Sequence, residues 1–167
     1  MLKRFFPDLY LKSIYDIDLG ILTQKKIKGI ILDIDNTLVP NFVKDADDKV
    51  IEWIERAKKL NFKICIVSNA SFKRVDRFNK KLNLFAIHRA RKPSQKSLLS
   101  AVKEMGIEPK ETAIVGDQVF TDIYGGNRLN MFTVLVEPMD REELFLIKLK
   151  RFAEKIVLYK YDKIRKS

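Results

Sequence analysis

Short apolar runs that end on polar, reactive residues recur along this chain, and they constrain its fold more than any other feature. Ile27-Lys28-Gly29-Ile30-Ile31-Leu32 closes on Asp33 and Asp35, Ile64-Cys65-Ile66-Val67 runs into Ser68-Asn69, and Thr112-Ala113-Ile114-Val115 runs into Gly116-Asp117. A short run with no polar alternation is a strand buried on both faces, which is the habit of parallel sheets. The remaining segments fit. Residues 27 to 35, 62 to 68, 84 to 88, 112 to 116 and 131 to 136 read as strands, with helices over 46 to 60, 71 to 82, 94 to 105 and 119 to 129. Strands alternating with helices imply right-handed crossovers and a parallel sheet of about five strands covered on both sides. Asp45 or Asp47, Ser71 and Ser94 stand where helices begin and Gly106 where one ends. In such sheets chemistry gathers at the carboxyl ends of the strands, where the polar residues stand here.

At 167 residues the chain is long enough for one ordinary core and too short for two. The single cysteine, Cys65, sits inside an apolar run, forms no internal disulfide and suits a reducing compartment. No stretch approaches the ~18 unbroken apolar residues of a spanning helix, and Lys3, Arg4, Pro7 and Asp8 interrupt the start of the chain. The expected location is cytoplasmic, with peripheral attachment at the inner face of a membrane left open. A net charge of +11 favours anionic partners, whether nucleic acid, acidic lipid or polyanionic substrate.

Four segments at the strand ends carry the chemistry. Asp33-Ile34-Asp35-Asn36-Thr37-Leu38 pairs two carboxylates; Ser68-Asn69 offers a hydroxyl and an amide; Arg89-Ala90-Arg91-Lys92-Pro93 is a basic loop opening a helix; and Gly116-Asp117 is followed by Asp122. Their order resembles the haloacid dehalogenase (HAD) superfamily of phosphotransferases. The finer wording, Ala90-Arg91-Lys92-Pro93 and Gly116-Asp117-Gln118-Val119-Phe120-Thr121-Asp122 through Gly125-Gly126-Asn127-Arg128, is similar to the YqeG family of its subclass IIIA. The lead-in Ser13-Ile14-Tyr15-Asp16-Ile17-Asp18 extends the resemblance, which runs from about Ile14 to Pro138. Asn130 departs from the glycine the family favours, in a turn without a catalytic role.

The resemblance implies a HAD-like Rossmannoid α/β fold, a three-layer sandwich. It implies no cap domain, because the gaps from Asn36 to Asp45 and from Asn69 to Lys92 are too short to hold one. The expected division is a phosphatase domain over 1–138, with its core at 27–138, and a C-terminal segment over 139–167. The expected reaction is hydrolysis of a phosphomonoester through an aspartyl phosphate. Asp33 attacks phosphorus, and Asp35 protonates the leaving oxygen and then takes a proton from water. Lys92 neutralises phosphoryl oxygens and keeps Asp33 ionised, and Ser68 contacts the transferring group. Clustered carboxylates need a cation, and Mg²⁺, which prefers oxygen ligands and bridges to phosphate, fits. By resemblance its ligands are Asp33, the Asp35 carbonyl and Asp117, with Asp122 acting through water. Asn69, Arg89, Arg91 and Asn127 are candidates for binding substrate. His88, Cys65 and Trp53 are not expected to take part in the chemistry.

After Pro138, Phe145, Leu149, Phe152, Ile156 and Tyr159 recur at helical spacing among Lys148, Lys150, Arg151, Lys155, Lys160, Lys163, Arg165 and Lys166. Such a helix fits either the flank of the domain or an anionic membrane interface. The resemblance implies phosphatidylglycerophosphate as substrate. A soluble sugar phosphate, nucleotide or phosphorylated macromolecule is the alternative, and RNA binding without catalysis is the weakest reading, since no stacking motif of an RNA module is present.

Overall fold

Ile30, Ile31 and Leu32 are each fully buried, as a central strand requires. The computed structural model describes residues 2–140 and 145–165, with the side chains of the last helix described from Phe152 to Ile164. Its strands are β1 (Leu9–Leu11), β2 (Gly29–Leu32), β3 (Lys63–Val67), β4 (Phe85–Ile87), β5 (Thr112–Gly116) and β6 (Phe132–Val136). They lie side by side in the order β1-β6-β5-β2-β3-β4, every neighbouring pair parallel. The helices are α1 (Leu19–Gln24), α2 (Asp48–Lys59), α3 (Phe72–Asn79), α4 (Gln95–Met105), α5 (Tyr124–Asn127) and α6 (Phe145–Arg165).

Strand alternation divides the core into layers. Ile30, Leu32, Ile64, Ile66, Ala113 and Val115 face Leu22 of α1, Trp53 and Ile54 of α2 and Phe78 of α3. Ile31, Cys65, Val67 and Ile114 face the other way, onto Leu98, Ala101 and Val102 of α4. Neither the connection from β2 to α2 nor the stretch between β3 and Lys92 holds an inserted domain. The three-layer α/β expectation holds, and Trp53 is a core residue at 2% exposure.

The sheet has six strands rather than about five. β1 is only three residues long and only partly buried, so no local signal marks it. Its place is set from far away: the Asp8 carboxylate accepts from the Thr133 amide at 2.7 Å and its hydroxyl at 3.0 Å. The helix expected over 119 to 129 is instead one π-helical turn, Val119–Ile123, followed by the short α5. Asp47 caps α2 and Ser71 caps α3, whereas Ser94 precedes α4 without a side-chain cap bond. Asp45 instead pairs with Arg77. Gly106 ends α4 in the left-handed conformation, φ 61°.

The last helix meets the domain through a face that the hydrophobic stripe does not announce. Glu154 and Val157 are buried, Leu158 is half-buried, and Tyr161 packs its ring 5.7 Å from that of Phe6. Phe152, Ile156 and Tyr159, members of the predicted stripe, point outward at 65%, 51% and 70% exposure. A buried polar contact fixes that rotation, because Glu154 accepts from the Val119 amide at 2.8 Å. The side chains of Phe145 and Leu149 lie outside the described residues. Among the described residues no helix is long and apolar enough to cross a membrane.

Candidate active site

The register opposes Leu32 of β2 to Ile66 of β3 and to Val115 of β5, so the residues that follow these strands emerge side by side. Asp33, Ser68 and Asp117 are those residues, at 8%, 2% and 2% exposure. After Asp33 the chain turns tightly: the Leu38 amide donates to the Ile34 carbonyl at 2.9 Å, and Asn36 takes a left-handed φ of 61°. Ile34 is fully buried between Asp33 and Asp35, and that spacing sends both carboxylates into the same pocket. The pocket measures about 190 Å³ and is also lined by Asn41, Ser68, Asn69, Lys92, Gln118 and Thr121.

Lys92 is the hub. Its buried ammonium donates to Asp33 Oδ1 at 2.8 Å and to Asp122 Oδ1 at 2.6 Å. Asp122 also accepts from the Gln118 amide and the Thr121 hydroxyl, each at 3.2 Å, which ties its carboxylate to the π-helical turn. Burial alone would depress the Lys92 ammonium, but Asp122 and Asp33 outweigh it and raise it above its ordinary value. For Asp33, burial is the largest influence and pushes the carboxyl up. Lys92 pulls it back, Asp122 and Asp35 push again, and the balance stands at about 6.

Asp35 has a partner that the sequence did not suggest. Arg74, in the first turn of α3, donates to Asp35 Oδ1 from Nε at 3.0 Å and from Nη2 at 2.8 Å. Its Nη1 donates to the Lys44 carbonyl at 2.9 Å, so the carboxylate and the loop after β2 are held together. The only available signal was a basic residue three positions after the capping Ser71, just beyond the Ser68 strand end.

Other expected residues are placed differently from one another. Asn69 lines the pocket, yet its side chain accepts from the Lys92 amide at 2.7 Å and donates to the Lys92 carbonyl at 3.3 Å. It thereby holds the segment that presents the ammonium. Arg89 and Arg91 are exposed beside the pocket rather than in its lining. Asn127 points away: it donates to the Arg4 and Phe6 carbonyls, each at 2.9 Å, and so anchors the start of the chain. Its side-chain amide is thus engaged with the backbone of the opening segment rather than with the pocket lining. Arg128 lies over the Tyr124 ring at 5.4 Å. His88 is exposed with its ring edge against Phe72, and burial pushes the Cys65 thiol up to about 11, where it is inert.

Gly116 has a steric reason to be glycine. A Cβ there would fall within the Asp122 carboxyl group, whose Cγ and Oδ2 are the nearest atoms. Gly116→Ala is therefore expected to displace that carboxylate and to lower kcat by about 100-fold, the cost of roughly an ångström of misplacement. Steady-state kinetics with a parallel thermal melt would separate this from loss of fold.

Asp33, Asp117 and Asp122 can each offer a carboxylate oxygen within 4.8 Å of the others, and all three are buried. Lys92 bridges Asp33 and Asp122, and an all-oxygen donor set of three buried carboxylates suits a hard divalent cation. Such a cation must displace the proton of Asp33, and the sign follows. Well above pH 6 Asp33 should be ionised and affinity flat with pH; below, apparent affinity should fall about tenfold per unit. Calorimetric titration with Mg²⁺ at pH 5, 6 and 7.5 checks this.

Comparison with known proteins identifies the family. A family model described as mitochondrial PGP phosphatase matches residues 2–139. The chain is 39% identical over 159 residues to the "Probable phosphatase YqeG" of Bacillus subtilis (strain 168), covering 95% of this chain and 92% of that protein. It is 31% identical over 166 residues to "Phosphatidylglycerophosphate phosphatase 1, chloroplastic/mitochondrial" of Arabidopsis thaliana, spanning 93% of this chain but only 47% of the plant protein. Among solved structures, the cobalt-bound deoxy-D-mannose-octulosonate 8-phosphate phosphatase of Haemophilus influenzae superposes with a TM-score of 0.53 at 16% identity, over 83% of this chain and 91% of that one. A HAD phosphatase from Thermococcus onnurineus gives 0.52 at 17%, over 76% and 98%. At such identities the structures speak for the fold alone, but the family match spans nearly the whole described domain and includes every strand end discussed above. The chain therefore belongs to the mitochondrial PGP phosphatase family, as a YqeG-type HAD phosphatase that hydrolyses phosphoric monoesters.

Proposed function

We propose that this phosphatase is Mg²⁺-dependent, works through an aspartyl phosphate on Asp33, and converts phosphatidylglycerophosphate to phosphatidylglycerol. The observation that carries the mechanism is the Lys92 ammonium bridging Asp33 and Asp122 at the floor of an open pocket. The nucleophile is thus held in place beside a positive charge that phosphoryl oxygens can share. A carboxylate oxygen of Asp33 bonds to phosphorus as the bond to the leaving oxygen breaks. Asp35, gripped by Arg74 through Oδ1 alone, is aimed into the same pocket, where it gives the leaving oxygen its proton and later takes one from the attacking water. The Ser68 hydroxyl and the Asn69 segment border the transferring group. Asp33, Asp117 and Asp122, with the Asp35 carbonyl, are the residues that would hold Mg²⁺, whose chemistry is to neutralise phosphoryl charge. The Haemophilus structure of the same fold is a cobalt-bound form, which supports a divalent metal in this phosphatase.

The lipid substrate has its support in the likeness to the Arabidopsis enzyme and in the absence of an inserted domain over the pocket, which leaves room for a headgroup whose tails stay outside. The outward stripe of Phe152, Ile156 and Tyr159, with Lys155, Lys160 and Lys163 exposed around it, supports peripheral contact of the C-terminal helix with an anionic membrane. The test is phosphate release from phosphatidylglycerophosphate in mixed micelles, with Mg²⁺ or with chelator, beside a panel of sugar phosphates and nucleotides. Mg²⁺-dependent release from the lipid at a kcat/KM at least tenfold above the panel is expected. Turnover of the panel alone would leave a phosphatase of soluble substrates.

A further inference from the structure

The mouth of the pocket carries large apolar side chains that folding leaves in water. Phe42 follows the lining residue Asn41 and is 72% exposed; Phe72 comes two residues after the lining residue Ala70 and is 58% exposed. Three segments meet there. Arg74 bonds the Lys44 carbonyl, the Arg89 amide donates to the Ala70 carbonyl at 2.8 Å, and the rings of Phe72 and His88 stand edge to face at 5.2 Å. Residues 41–44, 71–74 and 88–91 together contain Lys44, Lys73, Arg74, Arg89 and Arg91 and no acidic residue. Of these, Arg74 is committed to Asp35, and Lys44, Lys73, Arg89 and Arg91 are exposed.

The backbone adds an independent sign. Arg89 and Arg91 both take positive φ, 46° and 56°, a region that residues bearing a Cβ rarely enter. Glycine or asparagine would sit there with less strain, so the two guanidinium groups stand outward at a conformational cost. Exposed aromatic rings ringed by unpaired basic groups match one kind of surface: rings enter the boundary between headgroup and acyl chain while cations meet anionic phosphates. We propose that this rim is where the enzyme docks on an anionic membrane, with Phe42 and Phe72 inserted and Arg89 and Arg91 on neighbouring headgroups, so that the pocket opens directly onto the lipid surface. The proposal rests on the lipid-substrate reading above and adds the orientation of the enzyme on the bilayer, which the C-terminal helix alone does not fix.

The experiment is sedimentation of the full chain with vesicles of phosphatidylglycerol and phosphatidylcholine, or of phosphatidylcholine alone, for the native protein and for Phe42→Ser/Phe72→Ser. Native protein is expected to bind the anionic vesicles, and less so as salt rises. The double variant should bind them at least tenfold more weakly and release phosphate from vesicle-embedded phosphatidylglycerophosphate more slowly by a similar factor. It should keep native turnover of p-nitrophenyl phosphate, which also shows that it is folded. Unchanged vesicle binding by the double variant overturns the proposal, as does binding abolished only by Lys155→Gln/Lys160→Gln/Lys163→Gln, which would assign the contact to α6. Binding to RNA without binding to anionic vesicles overturns it as well. Failure of the substrate reading is distinct, since it appears as no release from micellar phosphatidylglycerophosphate whatever the vesicles do.

Discussion

Replacing Asp33 by asparagine is expected to lower phosphatase activity by at least about 10⁴-fold, close to 5 kcal/mol of transition-state stabilisation. The amide keeps the shape of the side chain but cannot form the bond to phosphorus. Stability should move the other way. Asp33 is a buried carboxylate whose charge burial disfavours, and Asp122 would keep the Lys92 ammonium paired without it. At pH 7.5 and without metal, Asp33→Asn should melt at or above the native temperature, while the further rise on adding Mg²⁺ shrinks because one ligand of the cluster is gone. Thermal melts with and without Mg²⁺, beside single-turnover kinetics, check both halves. A variant that kept its activity would remove Asp33 from the proposed role.

Lys92→Met should damage the protein in both respects. The ammonium is 3% exposed and bonded to two buried carboxylates, so its loss strands charge without a partner. Breaking a buried ion pair from one side costs roughly 3–5 kcal/mol, which for a chain of this length lowers the melting temperature by on the order of 10 °C. The deficit should depend on pH in a definite direction. Asp33 already sits at about 6 against an ordinary 3.8, and removal of Lys92 raises it further. The folded form then holds a proton that the unfolded chain has released, so stability declines as pH rises through that window and levels off above it. The variant should accordingly lie nearest to native at about pH 4 and furthest from it above neutrality. Activity should fall by roughly 10³-fold even where the protein is folded, because the ammonium that shares the phosphoryl charge is gone.

The three central strands were legible because burial on both faces leaves an unbroken apolar run, and β2, β3 and β5 each have one. Since parallel strands end together, the meeting of Asp33, Ser68 and Asp117 at one sheet edge followed from those runs, and Lys92 and Asp122 came with the motif spacing. What stayed hidden rests on contacts between residues remote in sequence. β1 is defined by Asp8 reaching Thr133, Asp35 by Arg74, and the rotation of α6 by Glu154 reaching Val119. Each is a polar contact across a long stretch of chain, on a segment whose local composition is ordinary. The anchoring bonds of the Asn127 amide were hidden for the same reason, since its partners lie more than a hundred residues earlier, at Arg4 and Phe6.

Strand order also governs how the chain must come off the ribosome. Leu9 pairs with Val134, so among the described strands the first is docked on the last. At roughly 5–20 residues per second, β1 waits on the order of ten seconds for its neighbour, and β2, the apolar centre of the sheet, emerges long before β5 can flank it. A nascent chain halted before Thr112 would display a sticky half-sheet with no working centre. Production of this enzyme should therefore depend on holdase chaperones more than its modest length suggests, and an N-terminal fragment should aggregate rather than retain partial activity.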